Sequence, residues 1–111
     1  MIGIKAIASY VPPDTVDNVS RCLAFGKSPD FIEEKVGFRL LPRKGPNEET
    51  SDMCVAAYQA LCRELGEPPR DVDCLVVCTQ NPDGYGLPHT AAIVQHKLGL
   101  PTAMACFDLS L

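Results

Sequence analysis

The chain has 111 residues, 46% of them hydrophobic, with a formal net charge of -4 and a pI near 5.0. That length supports one domain or part of one, and the apolar share is enough to build a core. Its ten Lys and Arg residues form no cluster, which argues against nucleic acid, since a phosphate backbone is held by a basic face.

The amino-terminal stretch MIGIKAIASYVPP is apolar, but Lys5 interrupts a run too short for a signal peptide, and nothing downstream approaches a membrane span. A cytoplasmic protein with no membrane partner is expected. Six cysteines sit inside apolar helix or strand patterns, so they read as reduced, buried and core-filling rather than as a disulfide frame. There is no CxxC pair, and Cys74 and Cys78 fall on one strand about 13 Å apart at strand rise, so no metal and no cofactor is expected.

In chain order, β-branched residues predict a first strand over Ile2–Ser9, ended by Tyr10-Val11-Pro12-Pro13. Asn18 or Ser20 would cap a short helix running through Phe25 and closed by Gly26. A second helix starts at Ser28-Pro29-Asp30, with Ser28 accepting from its first turn, and closes at Gly37. Phe38–Arg43 is extended, and Lys44-Gly45-Pro46-Asn47 is a loop by composition. Thr50 or Ser51 would cap the best helix, Asp52–Leu65, stopped by Gly66 and Pro68-Pro69. Its small Ala56, Ala57 and Ala60 suit a mostly buried helix.

The stretch Asp71–Leu111 reads as strand, loop, helix, strand. A short apolar run, Cys74–Cys78, is followed by the turn-rich loop Gln80–Gly86 and then by a helix from near Pro88 to Leu98. Leu87, Ala91, Val94 and Leu98 form its apolar stripe, Gly99 closes it, and a second apolar strand spans Ala103–Leu111. Two such strands joined by a helix make a βαβ unit, whose parallel strands are apolar throughout because both faces are covered. The expected order is β, short helices, α, β, α, β, too few strands to finish a sheet.

The candidate chemistry is thin. His89 and His96 share nearly one helix face, yet no second ligand or nucleophile stands beside them. The adjacent pairs Glu33-Glu34 and Glu48-Glu49 diverge in direction and read as solvated surface. The loop Gln80–Gly86 lacks the spacing of a phosphate-binding loop. Cys106 is inside the last strand, where burial favours the thiol over the reactive thiolate. The residues alone therefore reach an incomplete α/β domain without a catalytic set.

Six collinear segments add to this: IKAIASYVP, DFIEEKVGFR, TSDMCVAAYQALCRELG, DVDCLVVCTQNP, GLPHTAAIVQHKLGL and ACFDLSL. Together they resemble the amino-terminal half of the β-ketoacyl-acyl-carrier-protein synthase III family. The resemblance implies a thiolase-like α/β fold, with residues 1–111 forming the amino-terminal part of a βαβαβ half whose mostly parallel sheet is covered by helices. It implies an acyltransferase that condenses an acyl-CoA with a malonyl thioester on an acyl carrier protein. The family's cysteine nucleophile follows the Phe-Asp strand and would be the second residue after Leu111, so no catalytic residue is expected within the chain, and a histidine and an asparagine would come from the other half.

By the same resemblance Phe31, Lys35 and Arg39 would bind substrate around the adenine of coenzyme A. Phe31 and Lys35 stand where the family has tryptophan and arginine, so stacking is retained while a planar fork becomes a point charge. Leu87 would wall the acyl pocket of a partner across the two-fold axis of a homodimer. Two other readings remain open: a non-catalytic dimer partner or scaffold of the same fold, and a small α/β binding domain complete as it stands.

Overall fold

A computed structural model describes residues 2–110 and divides into two compact units, Val11–Asn47 and Met1–Tyr10 with Glu48–Leu111. In the first, strands β1 (Asp14–Asp17) and β2 (Leu40–Arg43) pair antiparallel, Asp14 opposite Arg43 and Asp17 opposite Leu40. Helix α1 (Asn18–Ala24) follows β1 directly and is capped by Asp17, whose Oδ1 accepts from the Val19 N–H at 2.9 Å. Neither Asn18 nor Ser20 has that role. Asn18 is buried instead, with Nδ2 donating to the Phe38 carbonyl at 3.1 Å and its own N–H to the Arg39 carbonyl at 2.8 Å, which ties the helix start to β2.

Pro29 opens α2 (Pro29–Phe31) as expected, but Ser28 makes no side-chain capping bond there. The chain then widens into a π-helical turn, Ile32–Val36, in which the Gly37 N–H reaches back five residues to the Ile32 carbonyl at 2.8 Å. Gly37 takes the left-handed conformation, φ 83°, that closes the turn at little cost without a Cβ.

The strand expected over Ile2–Ser9 is not formed. Ile2, Ile4 and Ile7 are 104%, 81% and 74% exposed, because β-branched residues make a strand only where another strand takes up the ladder, and neither sheet among the described residues does so.

The second unit holds α3 (Thr50–Leu65), β3 (Cys74–Cys78), α4 (Thr90–Leu98) and β4 (Ala105–Leu109). Strands β3 and β4 are parallel, Cys74 opposite Ala105 and Cys78 opposite Leu109, with α4 as the crossover, so the βαβ unit is present. The expected end of the last strand at Leu111 lies outside the described residues. Helix α3 starts earlier than its sequence suggests, with Glu49 at the cap position donating its N–H to Asp52 Oδ2 at 2.9 Å. It is half-buried along most of its length rather than mostly buried, since α4 packs along it and only Ser51 is fully enclosed.

The core is Val77, Ala91 and Val94, with Cys54, Val55, Leu75, Leu98 and Cys106 packed around them. It lies between the helices and one face of the β3–β4 pair. The other face presents Cys74, Val76, Cys78, Ala105, Phe107 and Leu109, all exposed. The expectation of buried cysteines is corrected accordingly. All six are free thiols, Cys22 alone is buried, and Cys74 and Cys78 are exposed because only one face of their strand is covered among the described residues.

Candidate functional site

The chemistry-bearing residues of the second unit gather where α3 and α4 begin. Asp108, on β4, aims its carboxylate at the start of α4, accepting from the Thr90 N–H and the Ala91 N–H at 2.7 Å each. Two backbone donors that a helix leaves unpaired are thus satisfied by an anion at the positive end of its dipole. His89, at the cap position, contributes no side-chain capping bond, and its Nδ1 accepts from the Asp108 N–H at 3.4 Å.

Asp83 does the same for α3. Its Oδ1 accepts from the Ser51 N–H at 2.9 Å and its Oδ2 from the Ser51 hydroxyl at 2.5 Å, while its own N–H donates to Thr90 Oγ1 at 3.1 Å. Lys97 Nζ donates to Ser51 Oγ at 2.7 Å and to Asp52 Oδ1 at 2.6 Å. Ser51 and Thr90 are wholly buried and Asp83 is 9% exposed. A serine beside a lysine is a nucleophile pair in some hydrolases. Here Ser51 has no exposed surface and its proton is committed to Asp83, so the pair is structural. Cys54 lies close by, and burial, followed by the Asp83 and Asp108 carboxylates, pushes its thiol pKa up. Cys106 donates to Gln95 Oε1 at 3.3 Å and is half-buried on the core side of β4.

Between these anchors runs the loop 84–89, which carries Tyr85 and Leu87, 103% and 83% exposed. Leu87 therefore does not join the stripe of Ala91, Val94 and Leu98, and projects away from its own helix.

In the other unit, Phe31 and Arg39 each line a cleft, and the two clefts share Ile32. Phe31 lines an apolar groove of about 320 Å³ with Arg21, Cys22, Phe25, Lys27 and Ile32. Lys27 Nζ stands 5.8 Å from its ring centroid. Arg39 lines a second cleft of about 240 Å³ with Val19, Pro29 and Phe38, and pairs with Asp17 at 3.6 Å. Lys35 is exposed on the π-helical turn. The Arg39 pair is on the surface, where such contacts contribute about 0–1 kcal/mol.

Sequence reasoning missed Asp83, Asp108, Ser51 and Thr90. Asp108 carried a legible signal, because a carboxylate inside an apolar strand must find donors. Asp83, in a turn-like Pro-Asp-Gly, gave none. Among the described residues no group of three His, Cys, Asp or Glu could hold a metal ion, and no helix is long and apolar enough to cross a membrane.

No protein-family model matches the chain. It is 33% identical over 108 residues to the β-ketoacyl-[acyl-carrier-protein] synthase III of Helicobacter hepaticus, covering 97% of this chain and 32% of that protein. Among solved structures, the synthase III of Thermus thermophilus superposes with a TM-score of 0.82 at 30% identity, over 99% of this chain and 33% of that one. MvaS in complex with 3-hydroxy-3-methylglutaryl coenzyme A superposes with a TM-score of 0.80 at 31% identity, over 96% of this chain and 25% of that one. The chain thus spans about a third of the curated relatives it matches. In sequence it is similar, along nearly all of its length, to that third of a β-ketoacyl-[acyl-carrier-protein] synthase III, and its fold is thiolase-like.

Proposed function

We propose that these 111 residues are the amino-terminal part of a thiolase-like acyltransferase of the 3-oxoacyl-acyl-carrier-protein synthase III type, a cytoplasmic homodimer serving fatty acid biosynthesis. The carrying observation is the collinear similarity over 97% of the chain to a protein of that name. In the reaction, a cysteine thiolate outside these residues takes the acyl group from acyl-CoA and releases coenzyme A. The carbanion formed when a malonyl carrier loses carbon dioxide then attacks the acyl-cysteine carbonyl, expelling the thiolate and giving a 3-oxoacyl carrier.

The described residues would contribute binding rather than bond-making. Phe31 offers a ring face for a purine, and Lys35 and Arg39 offer positive charge for phosphates. A relative that holds a coenzyme A thioester at 31% identity supports that substrate class. Leu87, projecting from its loop, would reach the acyl pocket of the partner subunit. The uncovered apolar face of β3 and β4 supports a larger sheet-and-helix body, since a monomeric surface rarely leaves such a face bare. The complete protein, mixed with a short acyl-CoA and malonyl carrier protein, should yield 3-oxoacyl carrier by mass spectrometry. A folded protein giving no such product with any acyl-CoA from two to eight carbons would refute the reading.

A further inference from the structure

The exposed loop 84–89 is closed at its base by a buried polar lock. Asp83, just before the loop, and Thr90, just after it, are joined by the Asp83 N–H to Thr90 Oγ1 bond of 3.1 Å. Each is then fastened to a separate element, Asp83 to Ser51 on α3 and Thr90 to Asp108 on β4. Within the loop the Gly86 N–H returns to the Asp83 carbonyl at 3.1 Å, and Gly84 and Gly86 supply the positive φ angles, 55° and 82°, that a tight return requires.

Lys97 gives the lock its direction. By donating to Ser51 Oγ at 2.7 Å it takes up a lone pair of that oxygen, so the single hydroxyl proton is left to point at Asp83 Oδ2. A carboxylate accepts both the Ser51 hydroxyl and the Ser51 N–H, whereas an amide at position 83 accepts at one atom only and faces the serine proton with a donor at the other. Because the lock is buried, leaving one of its members unpaired costs more than the same loss at a surface.

We infer that Asp83, held by Ser51 and Lys97, is a positioning residue that fixes where Leu87 stands and thereby which acyl chains are accepted. The inference rests on the proposed role of Leu87 in the acyl pocket. A group misplaced by about 1 Å at a reacting site can change rates by about 100-fold, and one methylene in an apolar pocket discriminates by about 10-fold or more. Loosening the loop should therefore show in the ratio of kcat/KM between short and longer acyl-CoA substrates.

The test uses the complete protein and the variants Asp83→Asn, Lys97→Met and Leu87→Ala. Hydrogen exchange reads the lock without reference to any reaction. Asp83→Asn should speed exchange by about 10-fold or more at the Gly86 amide, which donates to the Asp83 carbonyl, and at the Ser51 amide, which donates to the position-83 side chain, and Lys97→Met, whose site is less enclosed, should do so to a smaller degree. In the kinetic arm, Leu87→Ala and Asp83→Asn should each shift the chain-length ratio by about 10-fold, with no further shift in the double variant, since both act through one side chain. A purely structural Asp83 would lower the melting temperature and leave that ratio unmoved. Unchanged exchange in both Asp83→Asn and Lys97→Met overturns the lock. A ratio altered by Leu87→Ala but not by Asp83→Asn overturns the positioning role. A ratio that Leu87→Ala itself leaves flat refutes the proposed pocket instead, while the exchange result still decides the lock. Should Asp83→Asn fail to fold, Lys97→Met carries both arms.

Discussion

Replacing Asp108 by alanine should cost the complete protein about 3 kcal/mol, and the figure follows from what its carboxylate holds. It accepts two backbone N–H groups at 2.7 Å, from Thr90 and Ala91, both residues wholly buried. Hydrogen bonds to a charged acceptor contribute about 1.5–3 kcal/mol each, and a buried donor left unpaired costs about 1–3 kcal/mol. The half-buried setting of Asp108 lets water replace part of one bond, and His89 at the cap position makes no side-chain bond there that could substitute. A loss of both bonds with partial rehydration gives about 3 kcal/mol, above the roughly 0.5–2 kcal/mol of an ordinary cap removal. Asp108→Asn retains one acceptor oxygen and should lose about half as much. Urea denaturation gives the global value, and hydrogen exchange at the Thr90 and Ala91 amides gives the local one. A change within about 0.5 kcal/mol for Asp108→Ala, the range of an uninvolved surface substitution, would refute this account of how α4 is started.

Phe31→Ala should raise the KM for acyl-CoA by about 10-fold while costing only about 1–2 kcal/mol of stability, because the residue is 41% exposed. An equal loss of stability with an unchanged KM would make Phe31 a packing residue. Cys54 gives a pH dependence. Its thiol is raised above the ordinary 9.0, so the folded form keeps its proton after the unfolded form has lost it, and the stability it contributes should be constant below pH 9 and be lost as pH rises through 9 toward the folded value. Cys54→Ala should flatten that alkaline slope, and an identical slope would contradict the assignment. Iodoacetamide at pH 8 should modify Cys74 and Cys78 rapidly in the 111-residue chain and slowly in the complete protein, read by peptide mass. Equal rates would mean that the bare face of β3 and β4 stays bare.

Elements with local, short-range causes were legible in the residues. The span Cys74–Cys78 matches β3 end to end, and Gly37, Gly66 and Gly99 close the elements they were expected to close, each at a positive φ. Parallel pairing also followed, since a continuous apolar run, a helical stretch and a second run admit few other arrangements. What failed depended on partners distant in sequence. Ile2–Ser9 has the composition of a strand without a neighbouring strand to pair with among the described residues, and Cys74 and Cys78 have an apolar strand around them without a cover on their face. The caps divide: Ser28, Asn18 and Ser20 have the right side chains, yet α1 is held by its own neighbour Asp17, while α3 and α4 are held by Asp83 and Asp108 from 32 and 18 residues away. The nucleotide residues were nominated by resemblance alone.

Intact-mass measurement after incubation with a short acyl-CoA tests the central claim most directly. The complete protein should gain one acyl group, mapped to a cysteine outside residues 1–111, and the 111-residue chain should gain none, since none of its six thiols lies at the start of a helix where a thiolate is stabilised. Stoichiometric acylation at Cys106, or a complete protein that takes up no acyl group, would contradict the account.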